Sequence, residues 1–536
     1  MRDYQPRSQR ILKPSTLLLL TTLLVAMLLP DGRAQAEPFP PSRQLTLTVD
    51  VTLHIWWLTE WETNDSICQF AVDHAGDPTR REVLEECGWE VFHDWLDTPS
   101  CEQQDPTDCT GLYLHYIGDQ ESEQTLVIDL QIPWVEVDIA GCELGTPNTH
   151  CDDLPDLVLR GYEPLPNHSI TSVRGTLDGV PFHCEGSSCR VPFVPSHERG
   201  KRIVFWAVSS YGDMTQTYKG RIRAINAPDG GWYIDVLSSQ FLGISPASCS
   251  QTWGSLPSPG RLPPWLTTPD TPEELASTEL YEQLARQLVD RGVVDTEHCP
   301  NLGYLEDGSL NACAVEAARP VVSSWQNQFD QRILDVARSH NVPAVLLKRI
   351  FAQESQLWPG LYPQSEDEIG FGQLTDNGAD ATLLWNKDFF SEFCPLILSE
   401  RACSQGYTGL LPGEQAIVRG ALLRRVDASC ADCPAGVDLS RADASVSVFA
   451  ESLLASCEQV GRMIRNTAGD EPGSVASYET LWQITVANYH GGSGCVAEAL
   501  QDTWNSLGLL RWPEVAQNML DHCETVPAYV EQITTP

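Results

Sequence analysis

Glu354 is the side chain whose surroundings in the sequence would most change what a carboxyl group can do. In residues 341–373, NVPAVLLKRIFAQESQLWPGLYPQSEDEIGFGQ, Leu347, Ile350 and Phe351 form an apolar stripe at helical spacing. Glu354 follows Phe351 by three positions and Ile350 by four, so it continues that stripe rather than the wet face. Loss of water favours a neutral carboxyl and is expected to raise its pKa. A protonated carboxyl at neutral pH is the proton donor that a glycosidic oxygen requires. The competing reading is a helix-end carboxylate facing solvent or pairing with Lys or Arg. A looser acidic set follows: Glu366, Asp367, Glu368, Asp376 and Asp380. Of these, Glu368 or Asp367 could hold a water for hydrolysis, which ordinarily uses two carboxylates.

The elements that must position Glu354 are local. Asn341 is expected to cap the helix and Pro343 to lie in its first turn. Ser355 is either a hydrogen-bond donor to substrate or a helix-end residue. Gly370 and Gly372 either let backbone pass close to a ligand or allow a tight turn. That turn carries Gln373, whose amide can both donate and accept. Trp358 is a cleft wall or a core residue.

Three ordered segments carry a resemblance. Glu354-Ser355 resembles the Glu-Ser pair of the lytic transglycosylases related to goose-type lysozyme. Gly370-Phe371-Gly372-Gln373 resembles their Gly-Leu-Met-Gln segment. Asn488-Tyr489-His490-Gly491-Gly492-Ser493-Gly494 is similar to their Ala-Tyr-Asn-Ala-Gly-Pro-Gly segment, with His490 where the family usually has Asn. The resemblance covers roughly residue 321 to the C-terminus. It implies an all-α lysozyme-like domain that cleaves the β-1,4 bond between N-acetylmuramic acid and N-acetylglucosamine. Glu354 would be general acid and then base, giving a 1,6-anhydro end. Ser355, Gly370, Gly372, Gln373, Tyr489 and His490 would contact or shape the substrate site, with Tyr489 orienting the N-acetyl group. The alternatives are a muramidase-type hydrolase and a wall-binding protein without turnover.

Composition bounds the rest. The chain has 536 residues, with 34 Lys+Arg against 73 Asp+Glu and a net charge of −39. Such a surface repels phosphate polymers and anionic lipid, which argues against nucleic acid as a partner and fits simple solubility. The expected partner is the glycan strand of peptidoglycan. Residues 1–36 read as a signal peptide: a basic start, an apolar run at 17–29 and Ala34-Gln35-Ala36 as cleavage site. An uncleaved anchor is the alternative, and no other membrane association is expected. The 18 cysteines fit a disulfide set in an oxidising, extracytoplasmic compartment. Cys142/Cys151, Cys184/Cys189 and Cys394/Cys403 are the natural close pairs, and Cys430-Ala431-Asp432-Cys433 is expected to be a structural disulfide. There is no nucleotide-binding glycine loop and no HExxH motif, so no cofactor or metal is expected.

The organisation reads as multidomain. Residues 37–160 form a β-rich disulfide-containing domain, with strand-like runs at 45–55 and 125–139 and a short helix near 80–86. Residues 161–245 show short strands punctuated by turns and resemble an immunoglobulin-like β-sandwich. Trp206 and Trp232 are its core residues or, if exposed, holders of sugar rings. Residues 246–272 are a Pro-rich, extended linker. Residues 273–536 are helical, with stretches at 273–289, 325–339, 377–400, 413–426, 442–463 and 481–489, closed by 512–522. The interval from Gln373 to Tyr489 is longer than in compact members of the family and reads as a disulfide-stapled insertion. The sequence carries no signal for oligomeric state.

Overall fold

The structure is a computed structural model that describes residues 43–98, 110–142, 149–228, 230–243, 248–259, 262–361 and 368–535. The expected signal peptide, Glu366 and Asp367 lie outside the described residues. The chain divides into two compact units, one up to Leu130 and one from Gln131 onward.

In the first unit, β1 (Gln44–Glu60) pairs antiparallel with both β2 (Ser66–Val72) and β3 (Leu112–Asp129). The expected short helix is α1 (Arg80–Asp97), which runs longer and kinks at Gly88. It begins where Thr79 and Glu82 form a capping box, each side chain satisfying an orphan backbone donor of the other. The Cys68–Cys87 disulfide ties β2 to α1. Trp56, Leu58, Phe70, Val83 and Phe92 fill the small core between them.

The second unit starts with two antiparallel sheets. One has the order β4 (Trp134–Ala140), β6 (Asp156–Tyr162), β9 (Ser188–Pro192). The other runs β5 (Thr149–Cys151), β12 (Trp232–Leu237), β11 (Tyr218–Asn226), β10 (Lys201–Ser209), β7 (Ile170–Leu177), β8 (Val180–Glu185). Alternate residues point inward: Val135, Val137, Leu157, Leu159 and Val191 of the first meet Val173, Phe205, Ile222 and Ile234 of the second in one core. The boundary expected at 160 therefore falls inside β6, and β4 belongs with the later strands. The run at 125–139 divides between Asp129 and Trp134, where Pro133 lies, and β3 and β4 go to different units. Trp206 lies between the inward Phe205 and Ala207 and is half-buried on the opposite face, while Trp232 packs partly against the core.

The region expected to be a free linker is instead packed. It contains α2 (Ser248–Trp253), with Cys249 disulfide-bonded to Cys457 and the fully buried Trp253 donating Nε1–H to the Cys457 carbonyl at 3.0 Å. Trp265 and Leu266 are buried in the helical core as well. Apolar side chains at the proline-rich stretch outweigh its tendency to stay extended.

The helical region then adds α3 (Glu282–Asp290), α4 (Ala312–Asn327), α5 (Asp330–His340), α6 (Ala344–Ser355), α7 (Asp376–Trp385), α8 (Lys387–Phe393), α9 (Glu400–Cys403), α10 (Pro412–Val426), α11 (Leu439–Ala468), α12 (Pro472–Val475), α13 (Tyr478–Leu507), α14 (Trp512–Gln517) and α15 (Thr525–Thr534). The long α11 is central, packing against α2, α5, α7, α10 and α13. Several expected helices are shorter or broken. The stretch 325–339 is divided at Gln328–Phe329 between α4 and α5. The stretch 377–400 breaks at Asn386, whose side chain accepts from Phe389 N–H and starts α8. Only 282–289 of 273–289 is α-helical, within α3, preceded by a 3-10 turn at Pro272–Leu275. At the other end the chain gains length, because α13 runs on to Leu507 across a break at Gly492 and α15 follows the expected closing segment.

All three expected close cysteine pairs form, and Cys430–Cys433 is a disulfide. Among the described residues no helix is long and apolar enough to cross a membrane.

Candidate functional site

The Glu354 helix forms as the apolar spacing requires: Leu347, Ile350 and Phe351 are buried. Its start differs from expectation. Asn341 adopts the left-handed conformation (φ 53°) that terminates α5, and Pro343, not Asn341, is the N-cap of α6. Asn tolerates that backbone because its short polar side chain carries little steric penalty there. In the second turn of α6, Lys348 is buried and donates to Leu275 O at 2.7 Å, Asn327 Oδ1 at 3.0 Å and Asp330 Oδ1 at 2.5 Å. Burial pushes the Lys348 ammonium down and the Asp330 carboxyl up, against the attraction between them. A buried pair is costly to break from one side, so it fixes how α6 sits on α5.

Glu354 lies one residue before the end of α6, its side chain 14 % exposed. The chain then passes through left-handed Gln356 and Leu357. The Gln356 side-chain oxygen accepts from Gln283 and Leu284 N–H at 2.8 and 3.3 Å and so caps α3. Ser355 is fully buried, and its hydroxyl donates back to Phe351 O at 3.1 Å. It therefore sits as a helix-end residue. Trp358 is fully buried and stacked on Trp325 at 5.3 Å, a core residue rather than a cleft wall.

Gly370 to Gln373 form the tip of a tight hairpin closed by reciprocal backbone bonds between Ile369 and Leu374. Phe371 of the tip stacks on Phe351 of α6 at 5.1 Å and meets Phe329 edge-on, which presses the hairpin against the helix. Gly370 has φ 75°. At Gly372 a Cβ would stand 2.3 Å from the Tyr489 hydroxyl oxygen and 2.5 Å from the Phe449 ring. Glycine is needed there for close approach, and the result is a hydrogen bond from Tyr489 OH to Gly372 O at 2.7 Å. Gln373 is left-handed (φ 53°), with its amide nitrogen donating to Gly370 O at 2.8 Å.

The third segment arrives on α13. Tyr489 is half-buried, and burial together with the nearby Glu354 charge holds its hydroxyl well above the ordinary phenol range. His490 places Nδ1 3.6 Å from Glu354 Oε1, its side chain 31 % exposed. Asn488, on the inner face, donates to Gln459 Oε1 at 2.9 Å. Thus Glu354, Tyr489 and His490 come together, with Gly372 bound to Tyr489, while Ser355 points into packing. Asp376 and Asp380 are both drawn to Arg419 of α10, at 3.4 and 2.9 Å. Glu368 is exposed at the foot of the hairpin.

One residue of the site escaped the sequence reading. Tyr529 of α15 is 5 % exposed, its ring stacked on His490 at 3.9 Å and 4°. Its hydroxyl is held far above the phenol range by burial and then by the Glu354 charge. Three features bring α15 in. Arg349 of α6 donates to Ile533 O in the last turn of α15 and to Thr535 O just beyond it. Gly491 has no side chain where Val526 packs, since a Cβ there would stand 2.6 Å from Val526 Cγ2. The Cys495–Cys523 disulfide anchors the approach to α15. The spacing of Val526, Tyr529, Val530 and Ile533 marks an inward face, but nothing in it says which helix that face meets.

Among the described residues, two clusters have the composition of metal sites, His298/Cys299/Cys313 and Cys495/His522/Cys523. In each the two sulfurs are joined as a disulfide, so neither offers a thiolate. The Glu354 arrangement itself offers a shielded carboxyl with a histidine and two phenols around it, a set suited to giving and taking a proton. No protein-family model, no curated protein and no solved structure matches this chain.

Proposed function

We propose that this protein is an exported peptidoglycan lytic transglycosylase whose general acid and base is Glu354. The observation that carries the reading is the convergence of segments more than a hundred residues apart in sequence: a shielded Glu354, His490 at 3.6 Å, and Tyr489 bonded to the hairpin at Gly372. These are the segments on which the family resemblance rests. On this reading the helical region is lysozyme-like and the two-sheet region preceding it immunoglobulin-like. The disulfides favour an oxidising compartment outside the cytoplasm.

The chemistry follows from one acid. Glu354 gives its proton to the glycosidic oxygen as the C1–O bond breaks. The N-acetyl carbonyl oxygen of the muramic acid ring attacks C1 from within the sugar. The Glu354 carboxylate then takes the proton of the C6 hydroxyl, whose oxygen displaces the N-acetyl group at C1. The product is a 1,6-anhydro end, with no water consumed. Incubation with purified wall tests the proposal. Wild type should release soluble muropeptides and Glu354→Gln should not, with a rate loss of about a hundredfold or more. A folded wild-type protein that binds wall and releases nothing would instead identify a wall-binding protein.

A further inference from the structure

We propose that the outward face of the β4–β6–β9 sheet is a sugar-binding surface, with Trp134 and Tyr162 as the platform for a pyranose ring of a neutral glycan chain. The surface belongs to the two-sheet region and does not depend on the chemistry assigned to Glu354. The strand period puts Trp134, Glu136 and Asp138 of β4 on this face together with Arg160 and Tyr162 of β6, while Val135, Val137, Leu157 and Leu159 point into the core. Trp134 and Tyr162 stand directly across the ladder from each other. Their rings are stacked at 5.3 Å and 13°, yet the residues are 40 % and 37 % exposed. Trp134 Nε1–H donates to Glu136 Oε1 at 3.4 Å. The Tyr162 hydroxyl donates to the same carboxylate, which holds the phenol above its ordinary value. Both rings are therefore fixed before a ligand arrives, and a pre-organised surface leaves less ordering for binding to offset.

The charges beside the rings decide the class of ligand. Arg160 is paired with Asp138 at 3.1 Å, and on the next strand Arg190 is paired with Asp156 at 3.5 Å. With both guanidiniums already neutralised, the face holds nothing extra for an anion. A cation would want rings turned inward around one point, and these two lie nearly parallel. What remains is a flat apolar surface bordered by fixed donors and acceptors. A pyranose presents the complement, with C–H groups on its ring face and hydroxyls around its edge. The ring face lies on the indole, and the hydroxyls meet the Glu136 and Asp138 oxygens, which can each accept more than one bond, and the N–H groups of Arg160. Trp206 and Trp232, the tryptophans expected to hold sugar if exposed, are both half-buried.

The test uses the full chain carrying Glu354→Gln, so that no glycan is consumed. Cosedimentation with insoluble chitin, a neutral pyranose polymer, should give a Kd about tenfold or more weaker in Trp134→Ala and in Tyr162→Ala, the loss that follows truncation of an aromatic anchor. Trp134→Phe keeps a ring and should bind within a few-fold of the parent. Both positions face water, so the melting temperature of all three variants should stay close to the parent's. A second arm reads the site directly. In 15N-labelled protein, the indole N–H resonance missing from Trp134→Phe should shift when tetra-N-acetylchitotetraose is added. Equal chitin binding by the parent, Trp134→Ala and Tyr162→Ala would overturn the inference, as would a parent that binds no chitin or an indole resonance that stays fixed while the tetrasaccharide binds. Weakened binding in Trp134→Ala, beside a wild type that releases nothing from wall, would end the enzymatic reading of Glu354 and leave this one standing.

Discussion

At the residue scale, the site depends on contacts that tolerate no added volume. Gly372 is the sharpest case. A methyl group at that position would collide with both the Tyr489 hydroxyl and the Phe449 ring. Gly372→Ala should therefore break the Tyr489–Gly372 hydrogen bond, cost about 1–3 kcal/mol of stability from overpacking, and lower kcat more than KM. Denaturant midpoints and steady-state kinetics on the same preparation check both halves of that expectation. The sequence made Gly372 a candidate only as a turn or a close approach to substrate. The structure gives it a third use, as the place where a tyrosine from a distant helix reaches backbone. Spacing along one helix revealed that Glu354 continues an apolar stripe. It could not reveal Tyr529, because the meeting of α15 with α6 is set by Arg349, by a missing side chain at Gly491 and by a disulfide, none of which has a local signature. Ser355 shows the opposite limit: a hydroxyl next to an acid looks like chemistry in one dimension, and its bond to Phe351 O turns it inward.

At the element scale, helices of the C-terminal region were legible wherever a face alternates at 3.6-residue spacing, and their ends were not. Ends depend on capping choices such as Asn386 starting α8 and Asn341 ending α5, where one residue decides between continuing and turning. The contact between α5 and α11 carries its own prediction. His340, the last residue of α5, places Nε2 3.0 Å from Glu451 Oε1 of α11 and Nδ1 2.9 Å from Val336 O. The hydrogen bond to Glu451 is the largest influence and raises the imidazole above its ordinary value. A raised histidine contributes stability that is complete below the unfolded value of about 6.5 and fades as pH climbs through the folded value. The melting temperature should accordingly fall as pH rises from about 6 to about 9, and His340→Gln should flatten that slope. A variant with the wild-type slope would show that the pair contributes nothing to folding.

At the scale of the whole molecule, the sequence divided the chain by composition and the structure divides it by packing. Alternation at 45–55 located β1, and turn residues marked off the short strands of 161–245. Neither could assign β4 and β6 to a sheet, because pairing partners are chosen across space. The proline-rich stretch misled for a similar reason: prolines describe how the backbone can bend, while Trp253, Trp265 and Leu266 decide where it goes. The two-sheet region is joined to the helices by charge as well. Arg221 and Arg202 reach Glu471 at 3.2 and 3.7 Å, and Arg199 donates to Ser474 O at 2.7 Å. The Cys249–Cys457 disulfide spans 208 residues, so its loss frees a long loop of the unfolded chain. Replacing both cysteines by serine should cost about 2–5 kcal/mol, read as a lower denaturant midpoint.

The most direct test of the central claim is the mass of the sugar ends released from purified peptidoglycan. If Glu354 serves as acid and then as base on the sugar's own hydroxyl, every new muramic acid end will be lighter by one water than a reducing end, and Glu354→Gln will release none. New ends that carry the full complement of water, or equal release by the Glu354→Gln protein, would contradict it.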